Sequence, residues 1–280
     1  MGMQRLYVDS RDRSSGTNED FIYALPRAMQ VPQESVAVLD TVFIPHSYYS
    51  VTAGVDDRVY LQESNFSAQR LRVVTLQPGF YNPWTFAVEL AERLNEGRLP
   101  GGPVMPYTVK YNQVPARLSI SNDFKGMDEW TAVWSTEALK HLTPGYFGPD
   151  FDPSDPRDAG RQLGMREGTS VHSVPNHGPQ TLTMNRMPKM EPHLQLFIHG
   201  DLGLPGTCVG PRGATDVLRR ISVTVPPSAM ISDTHGTHFD NIRVAPGTLT
   251  TLSFRLLGWD GRPVDLNGQP WSFSLVIFPE

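Results

Sequence analysis

Short runs in which apolar and polar residues alternate recur along almost the whole chain, and they predict strands. "RLYV" from Arg5 and "DFIYAL" from Asp20 are brief runs between polar turns, whereas "SVAVLDTVFIP" from Ser35 is nearly continuous, as in a strand buried on both faces. "DRVYLQE" from Asp57, "RLRVVTL" from Arg70, "YTVKYN" from Tyr107 and "ARLSISN" from Ala116 follow. The pattern resumes with "HLQLFIHG" from His193, "RRISVTVP" from Arg219, "TLTTLSFRLL" from Thr248 and "WSFSLVIF" from Trp271. Leu194, Leu196 and Ile198 fall on one face of their run. Trp271, Phe273 and Leu275 do the same, with Ser272 and Ser274 opposite. Roughly ten strands with no regularly intervening helices argue for an all-β, antiparallel sandwich or barrel.

One helix is well signalled. In "PGFYNPWTFAVELAERLNEGR", Asn82 is a cap and Pro83 occupies the first helical position. Phe86, Ala87, Leu90, Ala91 and Leu94 share a face, and Gly97 is a stop. The helix should lie flat against the sandwich, and a weaker one is expected from Thr136 to His141. From Asp123 to about Met190 strand patterns thin out and Pro, Gly and Asp accumulate. This range reads as a loop-rich insertion, residues 123–190, in a single domain spanning 1–280. At the other end, the dipeptides Asp260-Gly261 and Asn267-Gly268 accept positive φ. They predict that "TLSFRLL" and "WSFSLVIF" are antiparallel neighbours in a closing hairpin, with Pro263 and Pro270 limiting the ladder between them.

Composition fits a packed β protein: 39% hydrophobic residues supply a core, while Gly 24, Pro 25 and only 19% charged residues favour turns. A net charge of −5 carries no footprint of a chain that wraps nucleic acid, so direct nucleic-acid binding is not expected. Lys110, Lys125, Lys140 and Lys189 are the only lysines, so 20 of the 24 basic residues are arginines. That bias suits either a GC-rich coding sequence or protein interfaces that use bidentate, stackable cations. The single cysteine, Cys208, excludes an internal disulfide and a cysteine-built zinc site. No stretch reaches the ~20 apolar residues of a membrane span. "MGMQRLYVDS" lacks a signal-peptide apolar region and has Leu6 where myristoylation wants Ser or Thr, so the expected product is soluble and intracellular.

Candidate chemistry is sparse. "SDTHGTHFD" brings Asp233, His235, His238 and Asp240 into one loop, which makes His235, His238 and Asp240 the metal-ligand candidates. A zinc site ordinarily adds a ligand from a second element, for which only His199 and Asp201 offer themselves, so the simpler reading is a polar loop satisfying its own turns. Asp150, Asp152, Asp155 and Asp158 resemble a calcium loop by charge alone, without its glycine or closing glutamate and stiffened by Pro153 and Pro156. There is no G-x-S-x-G elbow, no local signature around Cys208, and no phosphate-binding loop in "GDLGLPGTCVGPRG". Neither a cofactor nor an enzymatic activity is expected.

Three stretches carry a resemblance. They are "LYVDSRDRSSGTNEDFIYALPRAMQVPQESVAVLDTVFIPHSYYSV", "VTLQPGFYNPWTFAVELAERLN" and "LSFRLLGWDGRPVDLNGQPWSFSLVIF". In order and spacing the chain resembles the penton-type jelly-roll capsid proteins of polinton-like viruses, virophages and related double-stranded DNA viruses, over about residues 4–122 and 192–278. The resemblance implies a jelly-roll fold, a homo-oligomer, most simply a pentamer, at the five-fold vertices of an icosahedral virion, and contact with a major capsid protein. It implies synthesis inside a host cell and residence in the capsid. Closed rings need heterologous side patches, for which Arg11, Arg13, Tyr48 and Tyr49 are the interface candidates; the two tyrosines equally suit capping the core at a strand end. The alternatives are a minor capsid or receptor-binding spike protein of the same virion and, from another class, a metal-dependent β-sandwich enzyme.

Overall fold

The alternating runs become strands in the computed structural model, which describes residues 2–65, 68–96, 106–124, 130–141, 155, 157–173, 178–202, 208–234 and 240–280. In chain order the first elements are β1 (Gln4–Asp9), β2 (Ser15–Gly16), β3 (Asp20–Val31) and β4 (Ser35–Pro45). Then come β5 (Arg58–Asn65), β6 (Ala68–Thr75), helix α1 (Pro83–Asn95), β7 (Thr108–Asn112), β8 (Arg117–Phe124) and β9 (Trp130–Trp134). Two short helices, α2 (Thr136–Leu139) and α3 (Gly160–Leu163), precede β10 (Ser170–His172) and β11 (Gly178–Thr183). The chain finishes with β12 (Gln195–Gly200), β13 (Val217–Ser222), β14 (Met230–Asp233), β15 (Ile242–Val244), β16 (Gly247–Leu257) and β17 (Ser272–Pro279). Contacts divide the chain into two compact units: residues 1–48 with 193–280, and residues 49–192.

The first unit is an antiparallel jelly roll, and its strand order shows why. One sheet runs β1-β17-β4-β14, with β15 also on β4; the other runs β13-β12-β16-β3-β2. Leaving aside the short β2 and β15 and numbering the remaining eight strands 1 to 8 in chain order, the sheets read 1-8-3-6 and 2-7-4-5. Strands 1 and 8, 2 and 7, 3 and 6, and 4 and 5 are each paired antiparallel. That is a long double ribbon whose successive rungs are laid alternately into two sheets, the winding of a jelly roll. The inner faces enclose one core that includes Val8, Phe21, Leu39, Ile44, Leu196, Ile198, Phe254, Trp271, Phe273 and Leu275. Leu196 and Ile198 face it as expected, whereas Leu194 is exposed, because β12 begins one residue later and the preceding chain does not keep the strand's alternation.

The closing segment differs from the expected hairpin. β16 lies between β12 and β3 in one sheet, and β17 between β1 and β4 in the other. The dipeptides behave as predicted, with positive φ at Gly261, Asn267 and Gly268. The connection they shape crosses from one sheet to the other instead of returning along β16. It folds back on β16 for one step only, where Val264 N–H donates to the Leu256 carbonyl at 3.1 Å. Val264 and Leu266 are fully buried, so the crossing fills the end of the sandwich. Trp271, Phe273 and Leu275 face the core as predicted, and Ser274 on the other face shares a 2.7 Å hydroxyl hydrogen bond with Thr41.

The second unit is also an antiparallel sandwich, with sheets β10-β9-β5-β6 and β11-β8-β7 and its own core. Helix α1 forms as its sequence demands. Asn82 Oδ1 accepts from Trp84 and Thr85 N–H, and Thr85 Oγ1 accepts from Asn82 N–H, completing a capping box. Phe86, Ala87, Leu90 and Leu94 are buried; Gly97 lies outside the described residues. The range 123–190, expected as a loop-rich insertion in one domain, contributes β9, β10, β11, α2 and α3 to this unit. These strands are short, three to six residues each, and so carry little alternation to read.

Two polar clusters brace this sandwich. Tyr107 O–H donates to Glu63 Oε1 at 2.6 Å inside the core, and burial, reinforced by that carboxylate, pushes the phenol far above its ordinary value. Asp155 accepts from Arg157 Nη2 at 2.7 Å and from Arg58 Nη1. The Arg157 hydrogen bonds, helped by the charge of Arg58, hold its carboxyl at about 2.

Candidate assembly surfaces

The sheet containing β17 has an outer face whose composition follows from alternation. Because Leu6 and Val8 pack inward, Tyr7 points out; because Val42 and Ile44 pack inward, Phe43 points out. Tyr7 is 70% exposed, Phe43 40% and Met230 on β14 53%, a large apolar presence on one sheet. Tyr7 pairs across to Ser274 and onward to Thr41, while Phe43 lies between Ser272 and Ser232. Small hydroxyl residues of β17 thus form a shallow floor between aromatic side chains two strands apart, roughly 10 Å at ordinary strand spacing. Such a face offers shape and apolar area. The signal was available in the sequence as aromatic residues at outward-facing positions of "RLYV" and "SVAVLDTVFIP".

The four interface candidates fall into different surroundings. Arg11 is exposed and lies against Asp9, with Nε to Oδ1 at 2.9 Å and Nη2 to Oδ2 at 2.7 Å, a pairing that lowers the Asp9 carboxyl below its ordinary value. Arg13 holds a turn: its guanidinium donates to the Ser10 carbonyl, Asn18 Oδ1 and the Gly16 carbonyl at 2.8, 2.9 and 3.1 Å. Tyr48 is 3% exposed and belongs to the first unit's core, its ring 4.4 Å from His46 and 5.1 Å from His193. The core-capping alternative therefore describes Tyr48. Tyr49, in the second unit, is half-buried edge-on against Phe80 at 5.0 Å.

Of the metal-ligand candidates, His235 and His238 lie outside the described residues. Asp240 sits 3.7 Å from the guanidinium of Arg219, which is itself buried and donates to both oxygens of Asp233 at 2.9 Å and to the Leu39 carbonyl at 2.8 Å. These carboxylates balance a cation taken out of water, a role that binds them to the fold. His199 is committed to Asp216 at 2.8 Å, and Asp201 accepts from Ser253 N–H at 3.0 Å. Asp150, Asp152, Pro153 and Pro156 are outside the described residues, and Asp155 and Asp158 are taken up by hydrogen bonds within the second unit, Asp155 from Arg58 and Arg157 and Asp158 from Thr136 and Gly160. Among the described residues no three His, Cys, Asp or Glu side chains gather as a metal site, and no helix is long and apolar enough to cross a membrane.

No family model matches the chain, and no curated protein matches its sequence. Among solved structures it is similar to the penton protein of mavirus, with 10% identity over 99% of this chain and 100% of the other at a TM-score of 0.44. It is likewise similar to a chain of the Sputnik virophage, with 12% identity over 100% of this chain and 98% of the other at a TM-score of 0.43.

Proposed function

We propose that the chain is a structural protein of an icosahedral double-stranded DNA virion and, more specifically, its penton, with five copies closing each vertex against the neighbouring major capsid protein. The observation that supports this is where the resembling stretches fall. The first supplies β1, β3 and β4, and the third supplies β16 and β17, so together they make five of the eight jelly-roll strands and contribute to both sheets. The second ends β6 and builds α1. A ring of five requires two different side patches per copy. The Tyr7 and Phe43 face, with Arg11 just beyond β1, supplies one; Tyr49 with Phe80 offers another. The protein is made inside the host cell and carried in the capsid.

The test is assembly. Mass photometry at rising concentration is expected to show pentamers, and purified virions are expected to contain the chain at the five-fold axis. A protein that stays monomeric at high concentration and is absent from virions by mass spectrometry refutes the proposal. Replacing both aromatics, Tyr7→Asp with Phe43→Asp, should weaken assembly at least tenfold, since two buried side chains at an interface carry more than ~1.4 kcal/mol, while leaving the melt in place. The second unit, 144 residues carried on the single connection between strands 3 and 4, favours a further reading, a minor capsid or receptor-binding spike protein. Labelled antibody located away from the five-fold axis would select it.

A further inference from the structure

The second unit contains a cavity of about 580 Å³, the size that holds a small ligand. Its walls come from the start of α2, from α3 and the turn after it, and from the chain following β11. Backbone bonds fix these walls together. Arg186 N–H donates to the Gly164 carbonyl at 2.8 Å, Lys189 N–H to the Arg161 carbonyl at 3.0 Å, and Met165 N–H to the Gly160 carbonyl at 2.7 Å. Gly164 is required at the seam: its φ is +78°, and a Cβ there would lie 2.3 Å from the Arg186 carbonyl oxygen.

The charge of the lining opposes that of the chain. Lys140, Arg161, Arg166, Arg186 and Lys189 line the cavity, against Glu137, Asp158 and Glu167, in a protein whose net charge is −5. Two of the cations are already spoken for, Lys140 by Glu137 and Arg161 by Asp56, both at 2.9 Å. The Asp158 carboxylate is turned to the fold, accepting from Thr136 N–H at 2.7 Å, Thr136 Oγ1 at 3.0 Å and Gly160 N–H at 2.6 Å. Arg166, Arg186 and Lys189 remain, each exposed and with no ion pair among the described residues, and they outnumber the one remaining acid of the lining, the exposed Glu167. Met165 and the 62% exposed Met187 add an apolar surface beside them.

We propose that this cavity binds an acidic saccharide, with Arg166, Arg186 and Lys189 taking its carboxylate or sulfate and the methionines lying against the sugar ring. Guanidinium forks match the two-oxygen geometry of such groups. A neutral sugar would leave the cations unanswered, and a bare oxyanion would leave most of the volume and the methionine surface unused. The inference concerns the second unit alone and holds whether or not the protein sits at a vertex.

Calorimetric titration of the full chain decides it, with 3′-sialyllactose as the carboxylate probe, a sulfated heparin disaccharide as the sulfate probe, lactose as the neutral control and a short thymidine oligonucleotide as the competing polyanion. Saturable binding of either acidic saccharide, absent with lactose and weakened by salt, is expected, and which of the two binds names the acid group. Arg186→Glu with Lys189→Glu should weaken it at least tenfold through loss of charge-assisted hydrogen bonds, with the melt unchanged. Arg27→Glu, on β3 of the other unit, should bind as the parent does. The proposal is overturned if neither acidic saccharide binds at millimolar concentration, if the double variant binds undiminished, or if the oligonucleotide binds as tightly.

Discussion

Replacing Trp271 by alanine should cost the jelly roll a large part of its stability. The side chain is 2% exposed, stacks on Phe273 at 5.2 Å and meets Phe21 edge-on at 5.8 Å. Its indole N–H donates to the Asn18 carbonyl at 2.6 Å, and its backbone N–H donates to Ser10 Oγ at 3.1 Å. A buried tryptophan removes ~150–250 Å² from water, which at ~25 cal/mol per Å² is about 4–6 kcal/mol. That is an upper figure, since the unfolded chain already hides part of the area, and aromatic-to-alanine changes in cores cost ~3–5 kcal/mol. The orphaned Asn18 carbonyl adds about 1 kcal/mol or more. Phenylalanine keeps most of the area and loses the donor, so Trp271→Phe should cost only about 1–3 kcal/mol. In urea with a slope near 2 kcal/mol/M, the alanine variant should shift the first unit's midpoint by about 2 M. Hydrogen exchange of peptides from β4 and β17 separates that unit's unfolding from the other's. A shift under about 0.5 M at unchanged slope, with β17 peptides protected as in the parent, would refute the reasoning that β17 closes the core.

Deleting residues 271–280 removes a strand paired on both sides and should abolish folding of the first unit; a cooperative melt and native exchange pattern in the truncated chain would contradict this. In the second unit, Tyr107→Phe strips the Glu63 carboxylate of its buried donor and should destabilise by about 1–3 kcal/mol in a denaturant titration. Asp155 binds fewer protons folded than unfolded between its ordinary 3.8 and about 2. Stability therefore rises with pH across that window and is lost as pH falls through it, and Asp155→Asn should flatten this acid limb in melts recorded from pH 5 to pH 2. Tyr60 is pushed up to about 12 by burial; it stays protonated in the fold where the unfolded phenol ionises, so stability should decline from pH 10 to 12, an effect Tyr60→Phe removes.

Much of this architecture was legible because burial imposes periodicity. The alternation around Tyr7, Trp271 and Phe273 and the cap at Asn82 all reflect local rules, and the structure follows them. What could not be read depends on partners distant in sequence. Nothing local distinguishes a hairpin from a crossing, so β16 and β17 looked like neighbours although each pairs elsewhere. A strand list without core boundaries cannot separate two sandwiches, and β9 to β11 are too short to announce the second. The aromatic face required knowing that β1, β17 and β4 lie side by side. The cavity takes its cations from segments between Lys140 and Lys189, a range whose composition reads as loop, and one of its acidic residues, Asp158, reads as part of a calcium-like run until its hydrogen bonds to Thr136 and Gly160 are seen.

The chain leaves the jelly roll after Tyr48 and re-enters at His193, where the two rings are 5.1 Å apart and the Tyr48 hydroxyl reaches the His193 carbonyl at 3.5 Å. Both ends of a 144-residue segment are thus pinned at one spot. While the segment is folded, it brings its own ends together and costs the host nothing further. Once it melts it becomes a long tether, and holding the ends of ~144 free residues together costs roughly 3 kcal/mol more than holding those of a six-residue link. The jelly roll would then bear an entropic pull that needs no contact between the units. Damage to the cavity-bearing unit would loosen its host through the chain alone, and replacing the segment with a short link would relieve that load.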